Sequence, residues 1–219
     1  MILLTGLVGV LLVLTAEAKV GNSEGTKCTE TKECLLYDLV CETAEYEVRK
    51  YGAAKWVSTM EESWSMEYAT MTAFRRLFGY ISGENAEGKK IEMTAPVLVT
   101  IPEEPIWSTR NFTMSFLLPS EFQQNPPTPD NTKVYIHEMP EMKMYVRSYG
   151  GWMTGISDFY YARRLKNTFK INGATYNNTF HFGVGYDSPM KWYNRHNEVW
   201  FKVEGEPVCS SSSSEEMSD

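Results

Sequence analysis

A five-residue pattern that occurs twice is the strongest constraint on how this 219-residue chain folds. The pattern VRKYG at 48–52 returns as VRSYG at 146–150, and each copy is followed by a tryptophan and then an amphipathic segment. Self-similarity of this kind indicates that one supersecondary unit is present in two copies. We therefore expect two related halves.

Each half has the hydrophobic spacing of strands, then of a helix, then of further strands. Alternating apolar residues predict strands, whereas apolar residues three or four positions apart predict a helix. The first helix is predicted over 64–81, with Ser63 as its cap and Gly83 as its stop, and the second over 157–172, with Gly173 as its stop. The strands are predicted at 46–51, 55–59, 89–102, 111–118, 133–139, 142–149, 180–186 and 198–203.

Two such units predict an α+β fold, in which one antiparallel sheet curls or closes and two helices lie on its outside. Hydrophobic residues make up 42% of the chain and aromatic residues 13%. That content is enough for one hydrophobic core, so a single folded domain is expected between the two chain ends.

The N-terminus has the pattern of a signal peptide. An apolar run at 2–14 leads into Ala16-Glu17-Ala18, which has the small-residue form of a cleavage site. The run is shorter than the roughly 20 residues that a membrane span needs. We expect residues 1–18 to be removed, the protein to be secreted to the extracellular space, and no later segment to span a membrane.

Four cysteines, Cys28, Cys34, Cys41 and Cys209, remain in the mature chain. An even number of cysteines in an oxidising compartment predicts two disulfides, and the sequence leaves open which of three pairings forms. The alternative is a zinc site, but the first three cysteines are spaced by six and seven positions rather than as C-x2-C.

Both chain ends are expected to lie outside the core. Residues 19–40 form a polar, cysteine-bearing arm, and residues 205–219 form an acidic, Ser-rich tail whose composition predicts disorder. Ser213 and Ser214 each precede an acidic residue by two positions, which is compatible with phosphorylation in the secretory pathway. Phosphates there would allow contact with calcium or with the extracellular matrix.

Net charge, glycosylation signals and the lack of catalytic motifs in the sequence limit which molecules the protein is expected to act on or bind. Loss of Glu17 with the signal peptide changes the formal charge from −7 to −6, and without a basic face we expect no nucleic-acid partner. Sequons at Asn111 and Asn177 predict N-glycosylation. The sequence carries no G-x-S-x-G, H-E-x-x-H or P-loop motif, and paired cysteines supply no thiolate nucleophile, so the protein is not expected to be an enzyme.

Five segments together carry a family resemblance. They are YEVRKYGAAKWVST at 46–59, KKIEMTAPV at 89–97, PPTP at 126–129, MYVRSYGG at 144–151 and GYDSPMKWYNRHNEVW at 185–200. Their content and order resemble the SOUL heme-binding protein family. The resemblance implies a SOUL domain at 41–204, built as a distorted antiparallel β-barrel with two flanking helices, that binds heme or another tetrapyrrole non-covalently in an apolar groove beside a helix.

The flank of the first predicted helix supplies the candidate heme contacts. Met71, Phe74 and Phe78 follow one another at helical spacing beside the core-facing stripe. Tyr186 and Met190, in the GYDSPM turn, are candidates for the opposite wall. The alternative is that the helical residues are ordinary core, and the resemblance favours the groove.

Axial ligation of the iron is less well supported by the sequence. Some relatives have a histidine in the first repeated strand where this chain has Lys50, and a lysine amine, whose ordinary pKa is about 10.4, must lose its proton before it can ligate iron. His137, His181 and His196 have no partner at metal-site spacing. We expect heme binding through apolar contacts, with Lys50 the candidate axial position and no separate metal site.

Two functions fit these observations. The first is a secreted carrier or scavenger of heme or another tetrapyrrole. The alternative is a secreted structural or interaction protein of extracellular fluid or matrix that has no physiological heme role.

Overall fold

The computed structural model describes residues 19–24, 26–105 and 107–209. The predicted signal peptide at 1–18 and the predicted phosphorylation sites Ser213 and Ser214 lie outside these residues. The strands are β1 Val20–Asn22, β2 Glu33–Leu35, β3 Tyr37–Glu42, β4 Glu47–Tyr51, β5 Ala54–Ser63, β6 Val97–Pro102, β7 Arg110–Leu117, β8 Val134–Met139, β9 Met142–Gly150, β10 Phe180–Gly185 and β11 His196–Lys202. The helices are α1 Met66–Ile81 and α2 Gly155–Asn172, and a short 3-10 helix spans Ser120–Phe122.

Nine strands form one antiparallel sheet in the order β3-β4-β9-β11-β10-β6-β7-β5-β8. The strands that carry the repeated pattern, β4 and β9, are neighbours, with Glu47 opposite Val146 and Val48 opposite Tyr145. Helix α1 packs on β5 and β7, and helix α2 packs on β11 and β9. The predicted α+β fold with two related halves is confirmed.

The sheet curls into a half-barrel. Tyr51 on β4 and Trp56 on β5 are far apart in the strand order, yet both lie in one buried cluster with Leu98 and Trp200. Their neighbours along the strands point to the convex side, where two further clusters form under α1 and α2. Side chains from alternate strand positions therefore fill the concave face and both helix interfaces.

Helix boundaries follow local capping chemistry. Helix α1 begins two residues later than predicted because Ser65, and not Ser63, accepts a hydrogen bond from the Tyr68 backbone N–H. Helix α2 begins earlier than predicted because Thr154 forms a capping box with Ser157. At the other end of α2, Gly173 has a φ of 70°, the left-handed stop that the sequence predicts. None of the helices in the described residues is long and apolar enough to cross a membrane.

The strand predicted at 89–102 is wrong in its first half, because β6 takes only its last six residues. Pro96 has no N–H to donate to a sheet, and the Ala95–Pro96 peptide bond is cis. The Ala95 backbone instead accepts a hydrogen bond from Leu35 N at 2.9 Å and donates one to Glu33 O at 3.3 Å. This segment therefore packs against the N-terminal arm.

The cysteines pair as Cys28–Cys34 and Cys41–Cys209. The expectation that the whole arm lies outside the core is wrong, since Cys28, Cys34 and Leu35 are buried in the cluster of the concave face and β3 belongs to the main sheet. The polar residues of the arm are thus interspersed with buried residues, Cys28, Cys34 and Leu35, that pack inside the half-barrel. Of the tail, residues 205–209 are described, and the second disulfide fastens them to β3.

A fully buried carboxylate, Glu198 on β11, organises the polar part of the concave face. Its Oε2 accepts hydrogen bonds from Tyr186 Oη at 2.8 Å and from Trp200 Nε1 at 2.7 Å. Its Oε1 lies 2.8 Å from His196 Nε2 and 3.0 Å from Nη1 of Arg49, which is also fully buried. One charge thus joins β4, β11 and the turn after β10.

These partners keep Glu198 ionised. Burial by itself would raise the pKa of this carboxyl, but the hydrogen bond from His196 and the charge of Arg49 outweigh burial and lower the pKa to about 2. The carboxylate therefore retains its charge across the physiological pH range.

Replacing Arg49 by Met is expected to lower the free energy of unfolding by roughly 3–5 kcal/mol, because it leaves a buried carboxylate without its cation. Lys50→Met is the matched control, since Lys50 is the next residue on β4 and pairs with Glu141 at a partly exposed position. That change is expected to cost about 0–1 kcal/mol. Urea unfolding of both variants tests the prediction, and equal costs would contradict it.

A second buried ionic group anchors α2 to the sheet. His181 on β10 lies with Nε2 2.8 Å from Asp158 Oδ2 on α2, and with Nδ1 2.7 Å from Glu103 Oε1 just after β6. Lys166 of α2 donates to the other Glu103 oxygen at 2.6 Å. Burial by itself would lower the pKa of His181, but Asp158 and Glu103 raise it to about 9. The imidazolium is therefore part of the helix–sheet contact.

This geometry gives stability a defined dependence on pH. A histidine whose pKa is raised on folding contributes fully below its unfolded pKa of about 6.5, and the contribution is lost as pH rises to about 9. The free energy of unfolding is thus expected to fall between pH 6.5 and 9, and the His181→Gln variant is expected to lack that slope. His137→Gln serves as the control, because burial lowers the pKa of His137 and its removal should leave the slope in place.

Candidate functional site

An apolar groove of about 270 Å³ lies between α1, the segment before β6 and the turn after β10. We call it the α1 groove. Its lining residues are Phe74 and Phe78 of α1; Met93, Thr94, Ala95 and Val97 of the segment leading into β6; Gly185, Tyr186, Asp187, Ser188 and Pro189 of the turn after β10; and Glu30 and Thr31 of the arm.

Two phenylalanines one helical turn apart form the first wall. The rings of Phe74 and Phe78 stack at 5.7 Å, with an interplanar angle of 15°. Phe74 also packs edge-on against Phe116 of β7 at 5.4 Å, which fixes its position, whereas Phe78 remains 51% exposed. They flank the buried stripe of α1, so the groove face is an extension of the core toward solvent. Phe78 thus leaves apolar surface exposed at the groove.

The KKIEMTAPV motif supplies the second wall. Thr94 is buried, and its hydroxyl donates to the Leu117 carbonyl at 2.6 Å, which ties the motif to β7. The tie places Met93 and Val97 on the groove side. Sequence reasoning missed Met93 as a site residue, although the motif's prominence in the family resemblance was a signal for it.

Tyr186 and the turn that follows it form the third wall. The Tyr186 hydroxyl donates to Glu198, and burial together with that carboxylate raises the pKa of the phenol, so Tyr186 stays neutral. The Asp187 carboxylate accepts a hydrogen bond from the His196 backbone N–H at 2.5 Å and forms an ion pair with Lys191. The polar core of the half-barrel thus positions the turn at the groove.

The structure brings together some of the sequence-predicted site residues. Phe74, Phe78 and Tyr186 all line the α1 groove. Met71 lies on the same helix at a half-exposed position, where its sulfur accepts from Arg75 at 3.7 Å. Met190 follows the last lining residue of the turn and is 82% exposed.

Lys50 is placed elsewhere. It lies on β4, with Nζ 2.9 Å from Glu141, and is not among the residues that line the groove. No histidine lines the groove in the part of the chain that the structure describes. Phe74, Phe78, Met93 and Val97 give the groove its apolar walls.

The predicted glycosylation sites lie away from these walls. Asn111 is exposed on β7, and Asn177 lies between α2 and β10, with its side-chain oxygen accepting from the Thr179 hydroxyl at 2.7 Å. Neither asparagine lines the α1 groove.

Comparison with known proteins finds a family model and relatives that match most of this chain. A family model described as SOUL heme-binding protein matches residues 32–202. Heme-binding protein 2 of Mus musculus is 37% identical over 171 residues, covering 78% of this chain and 83% of that protein. Heme-binding protein 2 of Homo sapiens is 38% identical over 164 residues, covering 74% and 80%.

Among solved structures, the crystal structure of the EcmrR C-terminal domain has a TM-score of 0.50 and 13% sequence identity, covering 77% of this chain and 98% of that one. At that identity the likeness shows the fold alone. The family model and the two relatives each span most of the chain, and therefore the chain belongs to the SOUL heme-binding protein family.

Proposed function

We propose that this protein is a secreted, non-enzymatic carrier or scavenger that holds heme or another tetrapyrrole in the α1 groove. The observation that carries the proposal is the stacked pair of a partly buried Phe74 and an exposed Phe78, which line the groove together with Met93 and Tyr186. Membership of a family whose relatives are named heme-binding proteins supports the ligand class.

The groove residues suit a flat apolar ligand. When bound, heme supplies a broad hydrophobic face and an iron centre. Phe74, Phe78 and Met93 would remove part of that face from water, at about 25 cal/mol per Å² of apolar surface. The groove, at about 270 Å³, is slightly smaller than typical ligand sites, which run from about 300 to 1,000 Å³, so a tetrapyrrole would be partly covered.

Secretion of the protein is the second part of the proposal. The Ala16-Glu17-Ala18 cleavage pattern, the two disulfides and the two sequons all suit a secreted glycoprotein. Calcium or matrix contact through phosphates on Ser213 and Ser214 would be an additional property of the same secreted form.

Hemin titration followed by the Soret band tests the ligand proposal. Wild-type protein is expected to bind saturably with one-to-one stoichiometry, and Phe74→Asp is expected to weaken binding about 10- to 100-fold, because it removes about 1.5–3 kcal/mol of apolar burial. Phe159→Asp is the matched control, since Phe159 is an exposed aromatic residue of α2 that does not line the groove. Lys50→Ala is expected to bind as wild type does.

Weak binding that is alike in all four proteins would contradict the carrier function. It would favour the alternative of a secreted structural or interaction protein, because hemin adheres to many apolar surfaces without a specific site.

Processing of the chain tests the proposal of secretion. Protein recovered from the medium of secreting cells is expected to begin at Lys19 and to lose mass with a glycosidase and again with a phosphatase. The Asn111→Gln and Asn177→Gln variants are each expected to lose one glycan. Intact-mass spectrometry measures all of these changes, and retention of residues 1–18 would contradict cleavage.

A further inference from the structure

The α1 groove has a wall that lies outside the family-matched region. The match begins at residue 32, yet Glu30 and Thr31 line the groove. Both belong to the loop closed by the Cys28–Cys34 disulfide, which we call the arm loop and define as residues 28–34. The arm loop therefore lines the α1 groove although most of it precedes the matched region.

On one side the arm loop is fixed to the KKIEMTAPV wall. Backbone hydrogen bonds join Ala95 to Glu33 and Leu35, and the Glu33 carboxylate accepts from the Ser120 N–H at 2.6 Å. Lys32 adds an ion pair with Glu92 at 3.0 Å. These contacts hold the C-terminal end of the loop against the segment that leads into β6.

On the other side the loop reaches the turn after β10. Glu30 Oε2 accepts a hydrogen bond from the Ser188 backbone N–H at 2.6 Å, and Lys191 donates to Thr29 Oγ1 at 3.4 Å. Ser188 itself lines the groove. The arm loop thus adds a second connection between two walls whose strands, β6 and β10, already pair where Val97 lies opposite Gly185.

The disulfide accounts for the placement of Glu30. Cys28 and Cys34 are buried at 2% and 3% exposure, whereas Thr29 and Glu30 between them are exposed. Thr29 and Glu30 bury little apolar surface, so burial does not fix their position. The two buried half-cystines fix the ends of the loop instead. A short closed loop has far fewer conformations than the same residues without the cross-link.

We propose that the arm loop is the fourth wall of the α1 groove and a clamp on the turn after β10, with Glu30 as the positioning residue, and this inference rests on the proposed tetrapyrrole-binding function. The clamp holds the turn, and with it Tyr186, against the ligand. Without the Cys28–Cys34 cross-link the wall is no longer held in place, so ligand affinity depends on the presence of this one disulfide.

The test compares three variants of the mature chain. Cys28→Ser/Cys34→Ser removes the arm disulfide, Glu30→Gln weakens only the hydrogen bond to Ser188, and Cys41→Ser/Cys209→Ser removes the other disulfide as a control. Each is measured by hemin titration and, without hemin, by hydrogen exchange at the Ser188 amide. Circular dichroism and the unfolding transition establish that each variant is folded.

We expect the arm-disulfide variant to bind hemin about tenfold more weakly, and its Ser188 amide to exchange at least about tenfold faster, as loss of one charge-assisted hydrogen bond implies. Glu30→Gln should shift both readouts in the same direction. The control should leave both unchanged, because Cys41 and Cys209 do not line the groove.

Unchanged affinity and exchange in both arm variants would overturn the inference, and so would tighter hemin binding, which would make the arm loop an obstruction. If the Cys28→Ser/Cys34→Ser variant does not fold, Glu30→Gln decides alone. Failure of wild-type protein to bind hemin would overturn the proposed function and the wall together. Normal wild-type binding that is insensitive to the arm overturns only the wall.

Discussion

The charge of Glu198, buried on the concave face of the sheet, is the constraint on which the arrangement of the half-barrel depends. A carboxylate removed from water needs several partners at hydrogen-bonding distance, and no single strand supplies them all. Arg49 comes from the first half of the chain, Trp200 from the same strand, and Tyr186 from the turn that borders the groove. The same side chains that satisfy a buried charge therefore set the position of one wall of the α1 groove. The shape of the groove and the folding of the half-barrel are coupled through this group.

Much of the fold could be predicted from local pattern. The repeat indicated the two halves, apolar spacing indicated both helices, and Gly173 marked the end of α2. The burial of Glu198 could not be predicted, because alternation in HNEVW puts it on one face with Trp200 but does not reveal which charged strand positions face inward. The segment at 89–96 alternates polar with apolar residues from Lys90 to Ala95, so in sequence it resembles a strand. Pro96, which has no N–H, and the hydrogen bonds of Ala95 to the arm together keep it out of the sheet.

In the groove, too, some residues could be predicted from local sequence pattern and others could not. Phe74 and Phe78 could be found because helical spacing places them beside a core stripe, and the family resemblance then favoured a binding face over a core face. The sequence marked the motif that contains Met93 but not its position opposite α1, which depends on the hydrogen bond of Thr94 to β7. It gave no sign of Glu30, whose position depends on its hydrogen bond with Ser188. Lys50 stands on a strand where sequence gives no measure of its distance from α1. The spacing of apolar residues along the chain identifies which face of a helix is apolar. Contacts between residues distant in sequence decide which segments form the wall opposite that face.

The antiparallel pairing of β6 with β10 joins the two halves of the sheet at its centre. The strand order is reciprocal about this pair: β10, β11, β9 and β4 follow one another on one side, and their counterparts by position relative to the helices, β6, β7, β5 and β8, follow one another on the other. Reciprocity of this kind is what a two-fold axis produces between identical subunits. A single half-unit would present the same strand edge to a second copy of itself, so the duplicated chain has the form of a fused homodimer. Fusion makes the association independent of concentration and frees each copy to diverge, one to carry the groove helix and the other to carry the helix anchored by His181.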